Sequence, residues 1–167
     1  MKKIIIAYPV QDLTVARYLA AREMDYIGID LDSRDVVQNE YFINQLRNWV
    51  EGPKLIGFTE HLQTLHNPTY SILDDVFIKP SFLRSGPNQF DLLDDEKNPF
   101  IFTNTKEQFD QLSAEQKKVT IVLINDGYQP HEIIGNHGWM VNPGHEEITG
   151  ICDFDLLDAL LDGLINS

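Results

Sequence analysis

The sequence predicts an α/β fold on a parallel sheet, and three observations carry that prediction. Apolar runs of strand length recur along the chain, several continuous rather than alternating, as strands buried on both faces should be. Amphipathic stretches with helix caps lie between them. The residues from Gly138 onward pass from a short apolar run, Trp139–Val141, through glycines at Gly144 and Gly150 into a further amphipathic stretch. That is a complete βα unit.

Taken in order, Lys3–Tyr8 reads as the first strand, and Asp12 caps a helix with Leu13, Ala16, Leu19 and Ala20 inward. Tyr26–Leu31 is the second strand. Asp35 opens a helix that sets Val36, Asn39, Phe42, Ile43, Leu46, Trp49 and Val50 at helical spacing, and Gly52-Pro53 closes it. Lys54–Phe58 and Val76–Lys79 are strands. Pro80–Pro99 is irregular and reads as loop with a weak strand at Phe90–Leu93; a second weak strand is Phe100–Thr103. Thr105 and Ser113 each begin a capping box, Val119–Ile124 is a strand, and Pro130 to Gly135 frames a short helix. Asp153 is the expected N-cap of the last helix, with Phe154, Leu157, Leu160, Leu161, Leu164 and Ile165 on one face.

A length of 167 residues fits a single α/β domain spanning 1–167, and 43% hydrophobic with 23% charged residues is ordinary for a globular chain. The net charge of −13 argues against nucleic acid and anionic membrane surfaces as partners, since both would repel it. A small phosphorylated ligand needs only a few local donors and stays compatible. The one cysteine, Cys152, allows no internal disulfide and suits a reducing compartment. The apolar run after Met1 is too short for a signal peptide and no segment reaches membrane-spanning length, so a cytoplasmic location is expected. The sheet itself could close as a (β/α) barrel or stay open as a flavodoxin-like, doubly wound sheet. Length alone favours the open form, because barrels usually need about 200 residues or more.

Several side chains could carry chemistry. Asp30 and Asp32 stand two apart on one strand, so both point to the face opposite Ile29 and Leu31. Such a pair could supply a base, or part of a hard-cation site to which Glu60 or Asp126 adds oxygen, although carboxylates at strand ends are common without metal. The histidines His61, His66, His131, His137 and His145 lack metal-ligand spacing. No dinucleotide fingerprint, P-loop or hydrolase elbow occurs, so neither cofactor nor metal is expected.

With the strands in order, the chain resembles the phosphoribosylanthranilate isomerase family, (β/α)₈ barrels of tryptophan biosynthesis. Met140-Val141-Asn142-Pro143-Gly144-His145-Glu146 followed by Gly150-Ile151-Cys152-Asp153 is similar to the family's Asp-Val-Ser-Ser-Gly-Val-Glu and Gly-Ile-Lys-Asp. Asp126-Gly127-Tyr128-Gln129-Pro130 resembles its Gly-Gly-Leu-Thr-Pro loop. In the family these two loops hold the substrate phosphate, which implies Gly127 and Gly144, with Asp126 and Asn142 beside them, as ligand-binding residues. Met24–Ile29 and Lys54–Phe58 resemble the second and third strands. Arg34 falls near an arginine that meets the anthranilate carboxylate, and Asp94 near the aspartate that is the general acid.

The resemblance implies an aldose-to-ketose isomerisation of an N-linked ribose phosphate, which requires an acid to open the sugar and a base to take the C2′ proton. The family's basic cysteine falls at Tyr8, a phenol that is protonated at neutral pH. Tyr8 or Asp30 would have to act in its place. The family's Gly-Gly-Thr-Gly is replaced by Asp95-Glu96-Lys97-Asn98, and about one βα unit is missing between Val76 and Asp94. The implied fold is therefore a TIM-barrel-like (β/α) fold shortened by about one unit, which must rearrange, leave a gap or be completed by a second copy. The implied function is isomerase-like with reduced or lost activity; the alternative is a non-catalytic phosphate-ligand-binding or regulatory protein on the same fold.

Overall fold

In the computed structural model, which describes residues 2–85, 98–145 and 153–165, one sheet organises the chain. Among the described residues its strands are β1 (Ile4–Ala7), β2 (Tyr26–Asp30), β3 (Lys54–Thr59), β4 (Asp75–Ile78), β5 (Ile101–Thr103), β6 (Thr120–Leu123) and β7 (Gly138–Val141). Every pairing is parallel, in the order β4-β3-β2-β1-β7-β6-β5. The order follows the chain around the sheet, with β1 beside β7 and the break between β4 and β5. Helices α1 (Leu13–Ala21), α2 (Val36–Trp49), α3 (Leu62–Leu65), α4 (Lys106–Asp110), α5 (Ala114–Lys117) and α6 (Asp155–Ile165) lie in the connections and after β7.

The sheet is strongly curled. Phe58 of β3 meets Phe102 of β5 with ring centroids 6.0 Å apart, although four strands separate them in the sheet. In a flat sheet that interval would be about 24 Å, five steps of about 4.8 Å. Phe77 of β4 reaches Phe100, just before β5, at 6.2 Å, and Tyr26 of β2 reaches it at 6.3 Å. One face thus closes on itself as a half-barrel around Ile6, Tyr8, Ile56, Phe58, Ile121 and Met140. The alternate residues, such as Ile5, Ile27, Leu55, Val122 and Trp139, pack on the other face in a cluster that includes Leu19, Phe42, Leu46 and Leu161 from the helices.

Two glycines are required by close approach. Gly138 opens β7 directly opposite Ile4, where a Cβ would sit 2.3 Å from the Ile4 carbonyl oxygen. Gly28, in the middle of β2, leaves the space over which the rings of Tyr8 and Phe58 fold; a Cβ there would come within 3.1 Å of both.

The helices refine the expected faces. In α2 Asn39, Phe42, Ile43 and Leu46 are buried, whereas Val36 and Trp49 are 42% and 63% exposed. They lie at the ends of the helix, and Trp49 meets the Arg17 guanidinium of α1 at 5.9 Å instead of the core. In α6 Leu157, Leu161 and Leu164 are buried, but Ile165 is exposed in the last turn. The expected helix at Pro130 is one 3₁₀ turn, Pro130–Glu132. The weak strand at Phe90–Leu93, with Asp94, Gly150 and Cys152, lies outside the described residues. Among those described, no helix is long and apolar enough to cross a membrane.

Candidate functional site

Parallel strands deliver their C-terminal ends to one rim, and the inward-facing position just past each apolar stretch carries the first polar side chain. On β1 to β4 these are Tyr8, Asp30, Glu60 and Lys79, joined by Asp32 from the turn after β2. Lys79 is 3% exposed. Its Nζ lies 2.8 Å from Asp30 Oδ1, 3.0 Å from Asp32 Oδ2 and 3.8 Å from Glu60 Oε1.

The carboxylates are themselves held. Asp32 accepts from Thr59 Oγ1 (2.7 Å) and from the Glu60 N–H (2.8 Å), while its own N–H donates to Asp30 Oδ1 (3.0 Å). Glu60 accepts from the Ser85 N–H at 2.7 Å, and Arg84 Nε donates to the Lys79 carbonyl at 2.7 Å. The segment after β4 therefore folds back over the cluster. Three carboxylates around one ammonium leave a formal charge of −2.

The electrostatics fix the protonation states. Burial opposes the Lys79 charge, but the hydrogen bonds and charges of Asp30 and Asp32 outweigh it and raise its pKa above the ordinary lysine value. Lys79 is thus an ammonium donor, not an amine nucleophile. Tyr8 is 5% exposed, its ring edge-on to Phe58 at 4.7 Å, and Pro9 follows across a cis peptide bond. Burial first, then the charges of Asp30 and Asp32 and a hydrogen bond to Asp30, push its phenol far above the ordinary tyrosine value. Tyr8 donates a proton in a hydrogen bond; it does not take one. Asp30 accepts from Lys79, from Tyr8 and from the Asp32 N–H, which occupies most of the lone-pair sites of a carboxylate.

The other half of the rim is built from amides. After β6, the Gly127 N–H donates to Asn125 Oδ1 at 2.8 Å; after β7, the Gly144 N–H donates to Asn142 Oδ1 at 3.0 Å. Each is an Asx turn closing on a glycine two residues on, and Gly144 adopts φ +74°, which a glycine takes without strain. Asn125 Nδ2 also donates to the Asn104 carbonyl at 2.6 Å, tying the β5 and β6 ends together. Asp126 and Asn142 are exposed on these turns. An anion could receive the two glycine N–H groups only after both asparagine side chains rotate away.

The sequence-derived residues therefore fall into separate places. Tyr8 and Asp30 come together in the charged cluster, and Asp126, Gly127, Asn142 and Gly144 share the neighbouring strand ends. Arg34 belongs to neither group: its guanidinium donates to the Gln11 carbonyl at 2.6 Å and lies over the Phe42 ring at 4.5 Å. Asp94 lies outside the described residues. Lys79 was missed as a site residue, although it ends an apolar strand two residues after inward-facing Phe77 and so shares its face. Among the described residues no three His, Cys, Asp or Glu side chains gather as a metal site, and Lys79 Nζ occupies the space among the acidic ones. No protein-family model matches the chain, and no curated protein matches its sequence.

Proposed function

We propose that this chain is a phosphoribosylanthranilate isomerase-like protein on a TIM-barrel-like fold shortened by about one βα unit, and that it binds a small phosphorylated ligand without isomerising it. The fold part of the reading draws on the curl: strands run in chain order around a closed inner core, whereas a flavodoxin-like sheet reverses its order at a switch point. The loss of turnover rests on one observation. Where the family has its basic cysteine, Tyr8 is a buried donor to Asp30, and Asp30 is already engaged by Lys79. Neither group is available to take the C2′ proton.

Ligand binding is assigned to the β6 and β7 ends, where Gly127 and Gly144 offer backbone N–H groups on adjacent strands once Asn125 and Asn142 release them. A thermal-shift titration with ribose 5-phosphate and a reduced phosphoribosylanthranilate analogue, run beside an isomerase assay, tests both halves. The expected result is saturable stabilisation, about 2.7 kcal/mol at a hundredfold excess over Kd, with no turnover. Turnover lost in Asp94→Asn would make the chain an active isomerase. No stabilisation by either ligand would leave the resemblance to the fold alone.

A further inference from the structure

The outer face of α2 stands apart from the rest of this acidic chain. Val37, Tyr41, Gln45 and Trp49 stand four residues apart and form one ridge, with Asn44 and Asn48 beside it, and none of the six is charged. The two charged residues of α2, Glu40 and Arg47, fall seven apart on the opposite flank, where Arg47 bonds the Ile72 carbonyl and Asp74. Val37, Tyr41 and Trp49 are 74%, 67% and 63% exposed, and Tyr41 and Trp49 are the exposed large aromatics among the described residues. A groove of about 540 Å³ runs along the ridge between Arg34 and Gln45, floored by Phe42. Charge-poor, aromatic-bearing surface of this kind is the composition of interface centres rather than of free surface.

We propose that this face docks a second copy of the same chain, α2 against α2 in antiparallel, about a two-fold axis that passes between Tyr41 and Gln45 of the two copies. The ridge is self-complementary in that arrangement: Val37 of one copy meets Trp49 of the other, and Tyr41 meets Gln45, as an isologous contact requires. Charge supports the same occupant. The pairing sets Arg34 of each copy beside the exposed Glu51 of the other, giving two rim ion pairs around an uncharged centre. Because the chain carries a net charge of −13, an uncharged contact face is what lets two copies meet without setting like charges against one another.

Sedimentation velocity on the full chain, from about 1 to 100 μM at low and at about 0.5 M salt, tests the proposal. Dimer is expected to rise with concentration and also with salt, because salt screens the repulsion between the two acidic copies. Val37→Lys with Tyr41→Lys should weaken the dimer at least about tenfold with an unchanged circular dichroism spectrum, since both side chains are exposed. Glu51→Arg should weaken it, and adding Arg34→Glu should restore it. A wild-type chain monomeric throughout, or a dimer that survives the double lysine substitution, would overturn the proposal and assign the face to another protein or to none.

Discussion

Along β1 to β4 the strands end in charge, and along β5 to β7 they end in amides. The first half gathers the half-buried Asp30, Asp32 and Glu60 around the buried Tyr8 and Lys79, in a network whose members are already bonded to one another. The second half offers the half-buried Asn104 and the exposed Asn125 and Asn142 with two glycine turns, each glycine N–H held by one asparagine side chain and Asn125 tied also to the Asn104 carbonyl. The difference lies in the cost of opening each. A buried ion pair broken on one side strands a charge at several kcal/mol, whereas a surface Asx turn gives way for about 1 kcal/mol. That difference is the ground for the proposed assignment of the ligand to the amide half and of a structural role to the charged half.

Breaking the charged half should give the largest effect. Lys79→Met leaves three half-buried carboxylates facing one another without their cation and should cost about 2–4 kcal/mol in denaturant unfolding. Adding Asp30→Asn and Asp32→Asn to Lys79→Met should recover most of that loss. If Lys79→Met alone cost less than about 1 kcal/mol, the network would be peripheral. Gly28→Ala comes next: its Cβ presses on Tyr8 and Phe58 at 3.1 Å, with an expected cost of about 1–2 kcal/mol and no change in ligand affinity.

The alkaline limb of the stability curve sharpens the same contrast. Lys79 and Tyr8 both have folded-state pKa values above their ordinary ones, so their contribution is complete below about pH 10 and is lost as pH rises beyond it. Stability should fall above that pH, and Tyr8→Phe should flatten the fall. Absorbance at the tyrosinate band should show Tyr8 and Tyr128 withheld until unfolding, with Tyr18 shifted to about 12 by burial and by its hydrogen bond to Asp158. The smallest expected stability change belongs to the amide half. Asn142→Ala should cost no more than about 1 kcal/mol yet tighten binding of inorganic phosphate, because it frees the Gly144 N–H. Weaker phosphate binding in that variant would show that Asn142 contacts the ligand directly.

The strands were legible because a parallel strand buried on both faces needs a continuous apolar run, and Lys3–Tyr8, Tyr26–Leu31 and Lys54–Phe58 are such runs. Asp30 and Asp32 were legible for the same reason in reverse, as a polar pair ending one. Lys79 was not: a lone lysine before Pro80 looks like a strand end reaching solvent, and nothing local marks that its partners arrive from β2 and β3. Trp49 and Val36 have the spacing of core residues but stand at the helix ends, where the core-facing sector runs out. The resemblance implies Gly127 and Gly144 as anion donors, yet Asn125-Asp126-Gly127 and Asn142-Pro143-Gly144 share an Asn two residues ahead that accepts the same N–H. The curl of the sheet had no local signature, since Phe58, Phe77, Phe100 and Phe102 meet only after the strands have closed around them.

The division between the two halves is tested most directly by following backbone amide resonances of the full chain during titration with ribose 5-phosphate. Gly127 and Gly144 should shift together and saturate at one Kd, while the amides of Asp32, Glu60 and Lys79 stay in place. Saturable shifts centred on Lys79 and Asp30, with Gly127 and Gly144 unmoved, would contradict the account and make the charged half the ligand site.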